Sequence, residues 1–205
     1  MEKGKPDTRE RILQAAKEEF LEKGYPDAWL RDIAAQAGVT TGALYGYFAS
    51  KEELFGVLVS QAYQEIQDMY RNILNRFQTF APKDQLDHMM EYTMKGAREL
   101  IDYMYANHDA FKLILCCSQD TEYADLADRM AVMNEQATHS FEADTHALGV
   151  SLTPVHPKLE HILTTGMFTM FFELIAHDIP REEADRYTDC LILFFSAGYA
   201  NIMGF

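Results

Sequence analysis

Apolar residues recur along this chain at helical spacing, first in three short bursts and then over long tracts. Ile12, Leu13, Ala16 and Phe20 fall on one side of a helix, and Asp7 with Glu10 three residues later supplies a reciprocal cap at its start. Gly24 ends that helix, since glycine accepts the left-handed conformation a helix end needs. Leu30, Ile33, Ala34 and Ala37 form a second stripe, with Asp27 as the nearest residue able to cap it. Gly38 gives a tight turn and Val39 plugs the corner. Thr40 caps a third helix, whose Leu44 and Phe48 point inward at i, i+4. Ser50-Lys51-Glu52-Glu53 reads as a capping box that opens a fourth helix.

The third helix is short, and its outer face is chemically unusual. It offers Thr41, Gly42, Ala43, Tyr45, Gly46 and Tyr47, with no carboxylate among them. Small side chains let a helix sit deep in the major groove. Threonine can bond a base edge or touch a thymine methyl, and tyrosine hydroxyls reach phosphates. Lys51, at the first turn of the fourth helix, is placed to neutralise a phosphate. The pattern is that of a helix-turn-helix reader of double-stranded DNA.

After Lys51 the periodicity predicts helix upon helix: about 51–80, 83–106, 110–117, 121–148, 158–177 and 181–202. Pro82, the Asn107-His108-Asp109 turn, the Gly149–Pro157 loop and Pro180 separate them. No Val/Ile/Thr-rich alternation marks a strand. The fold class is therefore all-α: a three-helix head on a larger helical bundle, about nine helices in all, divided as 6–66 and 67–205.

The phrases TRERILQAAKEEFLEKGY, RDIAAQAGVTTGALYGYF and SKEELF, over roughly residues 8–58, resemble the DNA-binding domain of the TetR (tetracycline-repressor-like) family. The resemblance implies an all-helical homodimer with a small-molecule effector pocket in its C-terminal body. It also implies that Tyr45, Tyr47 and Lys51 contact phosphates, while Thr40, Thr41, Gly42, Ala43 and Gly46 read bases. Two positions depart from the family's habit. Ala28-Trp29 stands where members often carry Thr near the start of the second helix, and Thr41 stands where they often carry a basic residue. Trp29 and Arg31 are the residues here able to take over those contacts.

Charge changes the picture only in its distribution. The net charge is −14, yet residues 1–50 carry seven Lys/Arg and eight Asp/Glu, or −1, leaving eleven and twenty-four, or −13, for residues 51–205. Phosphate attraction acts within a Debye length of about 8–10 Å, so a near-neutral head can bind DNA on an acidic body.

The body is rich in Met and aromatic residues. Met89, Tyr92, Tyr103, Met104, Phe111, Cys116, Met133, Phe168 and Phe172 are candidate lining for an apolar or aromatic effector, a cationic one included. The last two helices are apolar on more than one side. Leu163, Gly166, Met167, Met170, Leu191, Phe194, Phe195 and Gly198 are the candidate dimer interface, which would set two reading helices about 34 Å apart, or a small multiple of that, on a palindromic operator.

Several classes find little support. No unbroken run of about 18 apolar residues suggests a membrane span, and the charged N-terminus is unlike a signal peptide. Cys116, Cys117 and Cys190 cannot all pair, which suits a reduced, cytoplasmic chain. No nucleophile elbow, phosphate loop, dinucleotide fingerprint or H-E-x-x-H occurs, so no enzyme activity and no cofactor is expected. His139, Glu142 and His146 share a helix face, but a solvated face explains them and no metal site is assigned. The expected function is a ligand-responsive DNA-binding transcriptional regulator, a repressor released from a palindromic operator by a small, mostly apolar effector. The alternative is a helical protein that binds or sequesters a small molecule and has little DNA affinity.

Overall fold

The computed structural model describes residues 7–150 and 152–204; Pro6, the expected start of the head, lies outside the described residues. Among them the chain forms nine α-helices and a single π-helical turn, with no strand. They are α1 (Thr8–Asp27), α2 (Leu30–Gln36), α3 (Thr41–Tyr45), α4 (Lys51–Gln78), α5 (Pro82–Ala106), α6 (His108–Lys112), the π-turn Leu113–Cys117, α7 (Leu126–Ala147), α8 (Pro157–Ala176) and α9 (Arg181–Met203).

Local chemistry explains most of the boundaries. The Asp7 carboxylate accepts from the Arg9 amide and Glu10 accepts from the Asp7 amide, closing a reciprocal cap. Gly24 adopts φ 75° and kinks α1 there. Gly38, at φ 69°, turns the chain from α2 to α3, and Arg11 donates to the Ala37 carbonyl at 2.9 Å beneath it. Two boundaries differ from the periodicity. The tract 110–117 divides into α6 and the π-turn. The helix expected from Thr121 starts only at Leu126, because Thr121 Oγ1 accepts from the Tyr123 amide and donates to the Ser118 carbonyl, an alternative to helical bonding.

The chain forms two compact units. The first takes the residues up to Gln64 together with His108–Ala124. Its centre is aromatic: Phe55 meets Phe20 edge-on at 5.0 Å and Tyr25 at 5.2 Å. Ile12, Ile33, Leu44 and Phe48 close around them, all buried. The π-turn packs on α1, and Lys17 pairs with Asp109 at 2.6 Å.

The second unit holds Glu65–Asn107 and Asp125–Phe205. In it α7 packs on α8, α5 on α9 and α7, and α8 on α9. A Cβ at Gly96 would come within 2.8 Å of Ile73 Cγ2, so only glycine allows this approach of α5 to α4. Polar bonds run through the α7–α8 seam, His139 to Glu160 at 3.0 Å and His161 to Glu135 at 2.9 Å, and Thr164 of α8 bonds Tyr199 of α9 at 3.0 Å. Helix α8 has a mean hydropathy of 1.2 and by length and composition alone is long and apolar enough to cross a membrane. The tract is not an unbroken apolar run, because Glu160, His161 and Glu173 interrupt it.

Tyr70 gives this unit a pH dependence. Its hydroxyl donates to Asn134 at 2.5 Å, and burial pushes its ionisation well above the ordinary tyrosine value. A raised pKa in the fold stabilises below the unfolded value of about 10, and that stability is lost as pH rises beyond it. The urea unfolding free energy of this second unit should therefore be flat from pH 8 to about 10 and fall above it. A flat profile to pH 11.5 would exclude this contribution.

Candidate functional site

Helix α3 is short enough that one side chain anchors it. Leu44 is buried, while Gly42, Ala43 and Gly46 are exposed and Thr41 is half-buried. Thr40 caps it by accepting from the Ala43 amide at 3.1 Å. Tyr45 is 53% exposed and Tyr47 45%. The outer face thus combines small side chains with two protruding phenols.

The approach to α2 is built differently from the expectation. Asp27 does not cap it. Trp29 occupies the cap position with no side-chain cap, and its indole is 67% exposed. The Trp29 amide instead donates at 3.5 Å to Glu19, a carboxylate only 5% exposed that also takes Lys23 at 2.7 Å. Glu19 was missed in the sequence, although a lone acid inside the apolar stripe of α1 was a usable signal. Arg31 is exposed beside Trp29, its nearest partner being Asp32 at 3.3 Å.

Lys51 differs most. Its ammonium does not project toward solvent for a phosphate; it donates to the carbonyls of Tyr25, Pro26 and Ala28 at 2.7, 3.2 and 3.2 Å. It also lies 4.4 Å from the centre of the Tyr25 ring. Neighbouring Glu52 sits below the usual carboxylate range, chiefly through its own backbone amide and then Ser50 and Tyr25. Burial, and then Glu52, raise the Tyr25 phenol far above its usual value. The expected box at the start of α4 is shifted by one: Ser50 accepts from the Glu53 amide, while Glu53 accepts from the amide of Ala49 rather than Ser50.

The candidate effector residues scatter. Met104, Phe168 and Phe172 are buried in the second unit; Met89, Tyr92, Tyr103 and Met133 are half-buried there. Phe111, buried, and Cys116, exposed, belong to the first unit. Of the nine, Tyr92 lines a cleft of about 260 Å³, in the company of Arg76, Thr79, Phe80, Lys95, Gly96 and Glu99. In its wall Phe80 and Tyr92 stand 5.4 Å apart, and both meet the ring of Phe77, at 6.2 and 5.3 Å. Arg76 is held by Glu99 at 2.8 Å. A neighbouring hollow of about 420 Å³ shares Lys95 and Glu99.

On α8, Leu159, Ile162, Leu163, Gly166, Met167 and Met170 recur at i, i+3, i+4, i+7, i+8, i+11 and share one face, on which Leu159, Ile162 and Met170 are exposed. On α9 the exposed stripe is Cys190, Leu193, Phe194, Ala197, Gly198 and Ile202. Leu191 and Phe195 stand to its side, half-buried, and Leu193, absent from the expectation, lies on it. His139, proposed to share a face with Glu142 and His146, is taken by Glu160, and among the described residues no group of three or more His, Cys, Asp or Glu could hold a metal ion. Among the described residues Cys116, Cys117 and Cys190 are in no disulfide; burial pushes the Cys117 thiol up to about 11.

The compact trihelical head with its short protruding third helix defines a helix-turn-helix protein. A model of the bacterial regulatory proteins of the tetR family matches residues 12–58. The repressor BepR of Brucella suis is 31% identical over 136 residues, 66% of this chain and 63% of BepR. The uncharacterised regulator TtgW of Pseudomonas putida is 52% identical over 56 residues, 27% of this chain and 42% of TtgW. The matched stretch thus spans less than two thirds of the length of these relatives. A TetR-family regulator structure from Bordetella parapertussis is similar over 97% of this chain and 99% of that one, with TM-score 0.61 and 18% identity. Residues 12–58 are thus similar to the tetR-family DNA-binding domain, and the described residues share the fold of that solved regulator.

Proposed function

We propose that this protein is a cytoplasmic, ligand-responsive transcriptional regulator that binds operator DNA as a two-fold dimer. The observation that carries this reading is the outer face of α3, where every residue from Gly42 to Tyr47 except Leu44 is exposed and none is acidic. Such a face can enter a major groove; Thr40, Thr41, Gly42, Ala43 and Gly46 then lie against base edges, and Tyr45 and Tyr47 reach the flanking phosphates. Trp29 and Arg31, both exposed at the start of α2, extend the same surface. The relative BepR is named a transcriptional repressor, which supports repression as the sense of regulation.

The exposed apolar stripes of α8 and α9 support a self-complementary dimer. The 260 Å³ cleft suits a small aromatic effector. With Arg76 and Lys95 against the single carboxylate of Glu99, its charge favours an aromatic anion such as an arylcarboxylate over a cation. To act as a switch, the ligand must bind the DNA-free form more tightly than the bound form, by the coupling free energy it exerts.

A mobility-shift titration with DNA flanking the protein's own gene tests this reading. A salt-sensitive complex is expected, and Tyr45→Ala and Tyr47→Ala should each weaken it by about 1–3 kcal/mol. Parental affinity in both variants would remove α3 from the interface. No complex at any salt concentration would favour a helical small-molecule binding protein instead. A thermal-shift screen of arylcarboxylates, phenols, fatty acyl compounds and lipophilic cations addresses the effector.

A further inference from the structure

We propose that Lys51 is a positioning residue of the DNA-binding head: it fixes the peptide that leads into α2 and has no hydrogen bond to spare for a phosphate. The inference rests on the DNA-binding reading above and changes the role of one of its residues. An ammonium carries three N–H donors and no more. In Lys51 these meet three backbone carbonyls, of Tyr25, Pro26 and Ala28, at 2.7, 3.2 and 3.2 Å. The Tyr25 ring covers a further side at 4.4 Å. A phosphate oxygen would have to displace one of these acceptors and so loosen the linker.

The three carbonyls are not scattered. All lie between the kink at Gly24 and the first residue of α2. The Ala28 carbonyl and the Trp29 amide belong to one peptide unit. Lys51 holds the oxygen of that unit from α4, while Glu19 accepts from its N–H from α1 at 3.5 Å. A planar peptide gripped at both ends has its orientation set. That orientation aims α2, and through the Gly38 turn it aims α3. Here Trp29 has no side-chain cap to do this, so the Lys51–Glu19 grip stands in for one. Glu52 adds to it by accepting from the Tyr25 phenol. The first two residues of α4 thus hold the linker from below.

The chain has a single tryptophan, and it sits on the gripped peptide. The test uses Lys51→Met, Lys51→Arg and Glu19→Gln in the full-length protein. It reads operator affinity against salt, and Trp29 emission and thermal midpoint without DNA. A positioning role predicts about a tenfold affinity loss for Lys51→Met, the weight of hydrogen bonds to a charged group, with the salt slope unchanged. Trp29 emission should shift and the midpoint fall in DNA-free protein, and Glu19→Gln should shift emission in the same way. Arginine should fail to rescue, because its flat guanidinium cannot spread its donors over the same three carbonyls. The proposal is overturned if Lys51→Met lowers the salt slope by about 0.9, one phosphate's worth, with Trp29 emission unmoved, or if Lys51→Arg restores full affinity. Should the parent bind no DNA, the regulator reading fails, and the DNA-free emission and midpoint still decide what Lys51 does.

Discussion

Phe194→Glu is expected to leave the protein folded and make it monomeric. Phe194 is 65% exposed and stands edge-on to Phe195 at 5.3 Å, so the second unit loses little by its replacement. In a two-fold interface the substitution acts twice, setting two carboxylates into an apolar seam without a counter-charge. Burying an unpaired charge costs several kcal/mol even after relaxation, which exceeds what a seam of this kind recovers elsewhere. The elution mass should therefore fall from twice the chain mass to once. Operator binding should weaken by about 10²–10⁴, since the second head no longer binds at the effective concentration set by the first. A half-site duplex should lose far less. A Phe194→Glu protein that remains dimeric would remove the α8–α9 stripe from the assembly and require another interface.

What could be read in the sequence, and what could not, follows from where each interaction partner lies. The Asp7 and Thr40 caps and the Gly38 turn were legible because each is encoded within four residues. The partners of Lys51 were not, for they are backbone carbonyls 23 to 26 positions away that have no side-chain signature. Lysine at a helix start beside a reading helix looks the same whether it faces a phosphate or turns inward. The aromatic and methionine pattern marked burial, and burial is what Met104, Phe168 and Phe172 show. It did not mark a cavity, and of the nine candidates Tyr92 alone lines the 260 Å³ cleft, together with Lys95, a residue no apolar pattern would select. On α9, Leu191, Leu193 and Phe195 are equally apolar. Which of them faces out depends on how α5 and α8 fix the rotation of the helix, and periodicity alone does not contain that.

Phe55→Ala is expected to have the largest effect on stability in the head. Phe55 is wholly buried and joins three parts of the chain. It stands edge-on to Phe20 at 5.0 Å and to Tyr25 at 5.2 Å, and lies 6.0 Å from Tyr123. Its removal would leave a void that these rings fill only in part, at a cost of about 3–5 kcal/mol. Total stabilities run to about 5–15 kcal/mol, so the head would come close to melting. For a urea dependence near 2 kcal/mol per molar, the midpoint should drop by about 1.5–2.5 M. Trp29 emission and DNA binding should be lost ahead of the helical signal of the second unit, because Phe55 belongs to the first. Phe55→Leu keeps most of the volume and should cost about 1–1.5 kcal/mol. If Phe55→Ala costs under 1 kcal/mol, the ring cluster is not what holds α1, the linker and α4 together. The carbonyl grip of Lys51 would then have to hold them alone, and Lys51→Met should prove the more damaging of the two.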